Sequence, residues 1–124
     1  MKKTITSLAA VLSFVAGSAF AQNVSIVEQW GVGNGQLTQQ SGANFSFTGQ
    51  GGAFNGSYTG QNGTDNASGT VQLGYFNGSS TTQAGHYNLS GTLQTGTGHQ
   101  ASTNQVGIGN VSVTMQQDGV SPHP

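Results

Sequence analysis

The feature that most limits what this chain can fold into is an eleven-residue phrase that returns along its length. In the clearest copy, a turn Gln72-x-Gly74-x-x-Asn77 leads into a strand Asn77-x-Ser79-x-Thr81-x-Gln83, and that last Gln opens the next turn. The Gln positions fall at Gln29, Gln40, Gln50, Gln61, Gln72, Gln83, Gln94, Gln105 and Gln116. The Asn positions fall at Asn23, Asn34, Asn44, Asn55, Asn66, Asn77, Asn88 and Asn110, with His99 in the remaining slot. Gly follows two residues after Gln in every internal turn, at Gly31, Gly42, Gly52, Gly63, Gly74, Gly85, Gly96 and Gly107. A fixed period of this kind has to be settled before any other reading, because each copy is a structural unit that stacks on its neighbours.

Within Asn-x-Ser-x-Thr-x-Gln the named residues are two apart, so on a β-strand they share one face. About nine such strands can be counted, and the Gly in each turn supplies the backbone freedom that a tight reversal needs. The turn after Gln40 is one residue short (Ser41-Gly42-Ala43), which is expected to be a local irregularity and not a boundary. A second period runs along the other strand face. Val24, Ile26, Phe45, Phe47, Val71, Leu89, Leu93, Val111, Val113 and Met115 fall on every second strand, while the strands between them carry mostly Gly, Ser and other small or polar residues. The full repeat is therefore a pair of strands about 22 residues long. The fold this predicts is all-β: a parallel β-solenoid with an ~11-residue half-repeat, odd strands building one sheet and even strands the other.

In such a stack like residues lie above like. Amides of Asn and Gln then bond up and down each column, which satisfies a buried polar row. The Asn/Ser/Thr/Gln face is therefore expected to point inward, since it is kept on both sheets whereas the apolar pattern is kept on one. A core with one apolar wall and one Gly/Ser wall would pack poorly. The ten apolar residues then form an outer stripe, an expected contact surface for a second filament, another subunit or a hydrophobic material.

Composition excludes several classes of function. Two Lys and three acidic residues give a net charge of −1, so nothing is present to neutralise phosphates or to dock on an anionic membrane. The apolar share is 33%, low for an ordinary globular core, and there is no Cys to staple a small fold. The histidines, His86, His99 and His123, have no metal-ligand spacing, and Glu28, Asp65 and Asp118 are too dispersed to act as a carboxylate pair. Neither an enzyme nor a cofactor site is expected.

Lys2 and Lys3, an apolar run from Leu8 to Ala16, and Ala19-Phe20-Ala21 together read as a secretory signal peptide over residues 1–21. The apolar run is too short to span a bilayer. The expected organisation is a removed signal (1–21), a repeat solenoid (22–119) and a short tail (120–124), with no integral membrane segment and export from a bacterial cell.

Gln-x-Gly-x-x-Asn-x-x-x-x-x-Gln in paired units behind such a signal resembles the curlin repeat, most closely at Gln72 to Gln83 and at Gln105-x-Gly107-x-Gly109-Asn110 to Gln116. The likeness covers the whole expected mature chain. It departs from the family in carrying Ser and Thr at positions usually aliphatic or Ala, and Asn in a slot often filled by Ser. The leader that usually separates signal from repeats is missing here, since Asn23 already begins a strand. The resemblance implies a subunit of curli, the extracellular amyloid fibres of bacterial biofilms that adhere to surfaces. By the same resemblance the chain would pass unfolded through an outer-membrane secretion pore and grow on itself from a nucleator subunit. A second reading from the residues alone is a monomeric solenoid that binds ice through outward-facing Ser/Thr rows.

Overall fold

In the structure, a computed structural model describing residues 22–118, the strands are β1 (Val24–Val32), β2 (Gly35–Ala53), β3 (Gly56–Tyr75), β4 (Gly78–His86), β5 (Leu89–Thr97), β6 (Gln100–Ile108) and β7 (Val111–Gln117). The expected signal peptide (1–21), the last residue of the expected solenoid (119) and the expected tail (120–124) lie outside the described residues. All pairings are parallel, and each residue sits beside its own copy one strand pair away, as Thr70 does beside Thr92 and Gln61 beside Gln83. The chain is a parallel β-solenoid.

The nine strand runs expected from the repeat are present as seven elements, because β2 and β3 continue through their turns and each supplies a run to both walls. One wall stacks β1, residues 45–53 of β2, residues 67–75 of β3, β5 and β7. It carries the aliphatic and aromatic outer residues, and is called the apolar wall below. The other, the small-residue wall, stacks residues 35–43, residues 56–64, β4 and β6. The short turn leaves its mark as a register shift between Ala43 and Asn44, opposite Asp65. In other turns the residue just before the Asn slot is left-handed, with φ between 57° and 74° at Gly33, Phe54, Asp65, Phe76, Tyr87, Gly98 and Gly109. The Ser41-Gly42-Ala43 turn lacks that residue, so the deletion removes one corner and leaves both strands in place. Left-handed backbone is costly for bulky side chains. At Phe54 and Phe76 the rings stack with centroids 5.2 Å apart and planes 9° from parallel, which offsets part of that cost.

The interior is polar. Between rungs, the Asn, Ser, Thr and Gln of residues 44–94 on the inward face are buried, and Phe47 is the one buried hydrophobic residue among those described. The inward choice made from the repeat therefore holds.

Candidate functional site

The residues singled out by the repeat assemble into four columns of amides running along the axis. In the apolar wall Gln29 donates Nε2–H to the Oε1 of Gln50, Gln50 to Gln72, Gln72 to Gln94 and Gln94 to Gln116, at 2.5, 2.7, 2.8 and 2.8 Å. In the small-residue wall Gln40, Gln61, Gln83 and Gln105 do the same at 2.7 Å throughout. The asparagines run the other way. Asn110 Nδ2 donates to Asn88 Oδ1, Asn88 to Asn66, Asn66 to Asn44, and in the second column Asn77 to Asn55 and Asn55 to Asn34. Backbone contacts force these orientations. Each Asn Oδ1 also accepts a backbone N–H from the rung above it, as Asn44 Oδ1 does from Asn66, so it cannot be the amide nitrogen.

The second N–H of each glutamine goes to a bond that the repeat did not reveal. Gln72 Nε2 reaches across the interior to the carbonyl of Gly56, Gln83 to that of Ala67, Gln94 to that of Gly78 and Gln105 to that of Leu89, at 2.9–3.1 Å. From Gln40 onward, each glutamine is thus bonded along its own wall and across to the strand before it. The asparagines sit where the chain leaves a turn. Asn55 Nδ2 lies within 3.2 Å of the carbonyls of Gly51 and Gly74, tying its own corner and the next. Burying an amide costs several kcal/mol when it is left without partners, of the order of 2–7, so these columns hold the fold only because every rung supplies the next.

The turn glycines form two further columns. A Cβ added at Gly31, Gly42, Gly52, Gly63, Gly74 or Gly85 would stand 1.8–2.0 Å from the carbonyl oxygen of the glycine one rung above. At Gly96 the neighbour is instead the carboxylate of Asp118. Asp118 takes the glycine slot of the final turn. Its side chain accepts the Thr97 backbone N–H at 3.0 Å and lies 3.0 Å from His99 Nε2. His99 keeps its slot by donating its backbone N–H to Asn77 Oδ1, but its ring offers no Oδ1 to a following rung.

The outer stripe needs correcting. All ten residues lie on the outer face of the apolar wall, but Phe47 is only 9% exposed and Val24, Ile26, Phe45 and Val71 are half-buried. The Phe47 ring lies over Gly49 and is flanked by Val71, so large side chains close over the glycines beside them. The exposed part is the C-terminal half: Leu89, Leu93, Val111, Val113 (70%) and Met115 (73%). Trp30, Val32, Phe54, Tyr75, Phe76 and Tyr87 at the turns, with Val106 and Ile108, add exposed apolar surface that strand alternation alone does not indicate.

Among the described residues, ten inward hydroxyls, including those of Ser68, Thr70, Ser79 and Thr81, are buried without a hydrogen-bond partner. Exchanging such a hydroxyl for a methyl removes a desolvation cost and leaves no orphan behind. Thr70→Val and Thr81→Val are therefore expected to raise unfolding stability by about 1 kcal/mol each. Denaturant titration followed by circular dichroism checks this, and a loss of stability would mean that the hydroxyls are partnered.

No known protein family and no curated protein matches the chain.

Proposed function

We propose that this chain is a secreted structural subunit that polymerises into extracellular amyloid fibres of the curli type, contributing to a biofilm matrix and to adhesion. The observation that carries this reading is the state of the two ends. β1 pairs only with β2, β6 only with β4 and β7 only with β5, so each end leaves strand edges unpaired among the described residues. Natural proteins usually bend, charge or cover such edges. The inward row is also bare there. Val27, the one apolar residue in that row, is 42% exposed on the first rung, whereas Thr48, its neighbour one rung on, is fully buried. The ladder polarity makes the ends complementary: the glutamine columns finish on donors at one end and begin on acceptors at the other. A second copy supplies what each end lacks.

The resemblance to curlins adds the rest of the proposal: export through an outer-membrane pore, and a nucleator subunit that starts growth. The exposed C-terminal half of the stripe is the surface offered to a second filament or a hydrophobic material. The Ser/Thr rows that an ice-binding solenoid would need outside are turned inward over residues 46–92, and no observation favours that reading.

The test is polymerisation of the purified chain beginning at Gln22. Fibres are expected that bind an amyloid dye, grow faster when seeded, and give a meridional reflection near the ~4.8 Å strand spacing. A chain that stays monomeric at high concentration, with or without seeds, would remove this proposal.

A further inference from the structure

The geometry points to a screw relation between consecutive subunits: each copy of this chain docks on the next after half a turn about the fibre axis, so that β1 of one copy lies on β6 of the copy before it and not on β7. This rests on the assembly reading above and specifies its interface. The described strand runs are odd in number, five in the apolar wall and four in the small-residue wall.

Cross-wall bonds show how the walls interleave. Gln40 Nε2 bonds the carbonyl of Val24, Gln50 that of Gly35, Gln61 that of Phe45, and the pattern holds to Gln116 on Gln100. Each strand therefore stands half a step above the strand before it in the other wall. At the C-terminal end β7 protrudes and β6 is recessed by half a step; at the N-terminal end β1 protrudes. A protruding β1 fits the recess over β6.

Gln29 makes the argument specific. It bonds Gln50 along its wall but, unlike the other ladder glutamines, has no cross-wall carbonyl among the described residues. With β1 on β6, the strand half a step below it is β7 of the preceding copy, and the carbonyl in the matching position is that of Val111. In the same arrangement Gln105 donates to Gln29 of the second copy, Gln116 to Gln40 of that copy, and Asn34 of that copy to Asn110. Three of the four amide columns then run on, and the fourth stops at His99. Stacking β1 on β7 without rotation continues two columns only. It leaves the nine-residue edge of β6 facing a slot one strand high, and Gln29 again without its carbonyl.

The register names the residues that meet. Gln105 aligns with Gln29 of the second copy, so Asn104 lies beside its Glu28; without rotation Met115 would lie there instead. The chain contains no cysteine, so an introduced pair reports alone. Parallel neighbours about 4.8 Å apart fall within the Cα separations of about 4.4–6.8 Å that a disulfide spans. Fibres of Glu28→Cys/Asn104→Cys oxidised after assembly are expected to yield a ladder of covalent multimers, and fibres of Glu28→Cys/Met115→Cys none. The reverse pattern, or no cross-links in either, overturns the screw and leaves assembly standing. A second measurement uses the unmodified chain: with interleaved copies the axial rise per subunit is ~22 Å, and with a skipped strand ~24 Å. A rise at the larger value also overturns the screw, and failure of the unmodified chain to form fibres overturns the assembly reading with it.

Discussion

Replacing Gly74 by alanine will be among the most destabilising single-methyl changes in the chain, together with the other stacked turn glycines. Gly74 has φ of 127°, and its added Cβ would stand 1.9 Å from the Gly96 carbonyl oxygen, well inside any permitted contact. That oxygen belongs to the backbone of the next rung, so relief requires the rungs to part. Backbone strain of about 1–3 kcal/mol at such a φ adds to the loss of pairing between the parted strands, so the total is expected to exceed about 3 kcal/mol. Asn55 Nδ2 bonds the Gly74 carbonyl, so the damage reaches the amide columns too. Gly91→Ala is the control: φ there is ordinary and no atom lies within 4 Å of the new Cβ. It is expected to be neutral or to stabilise by about 0.4–1 kcal/mol, because alanine narrows the unfolded ensemble. Denaturation midpoints of the two variants test this, and equal midpoints would show that the glycine columns are not in close contact.

Gln72→Ala is the second large effect. It removes at once the acceptor for Gln50, the donor to Gln94 and the donor to the Gly56 carbonyl. Each orphaned buried group costs about 1–3 kcal/mol, so a loss of about 3 kcal/mol or more is expected, a large part of the 5–15 kcal/mol typical of a domain. Gln83→Ala should behave alike, since it breaks the other wall at the equivalent place. Gln29→Ala should cost far less stability, as Gln29 is exposed and makes one of these bonds only. In fibre growth, Gln72→Ala and Gln83→Ala should slow seeded elongation. If Gln72→Ala and Gln29→Ala lowered the denaturation midpoint equally, burial of the amide columns would not be what holds the rungs together.

Much of this architecture was legible in the repeat, for a simple reason. In a stack of copies a residue's neighbour is its own equivalent about 22 places away, so the period alone pairs Thr70 with Thr92 and Asn66 with Asn88. Bonds between unlike positions are different. The glutamine of one strand and the carbonyl it meets on the strand before it are 15 or 16 residues apart, a spacing that is no multiple of the period. Nothing in the letters marks Gly56 as that partner. Exposure of the stripe escaped for a related reason: Val71 and Met115 stand in one outward column, yet one has rungs on both sides and the other lies on the last. The corner aromatics were hidden because their slot is set by a left-handed turn residue, a place where glycine is expected and Phe54, Phe76 and Tyr87 are not.

The letters by themselves determined the period, the pairing of each strand with its copy, and the odd and even walls; they favoured an inward polar face, since a polar row kept on both sheets can be satisfied by stacking, and the burial of that row in the structure decided it. Only the tertiary structure decided which glycines are indispensable, where each glutamine's second N–H goes, and which apolar residues remain open. Those depend on the distance between unlike groups across the interior and on how many rungs lie above and below, and neither quantity is written in a repeat.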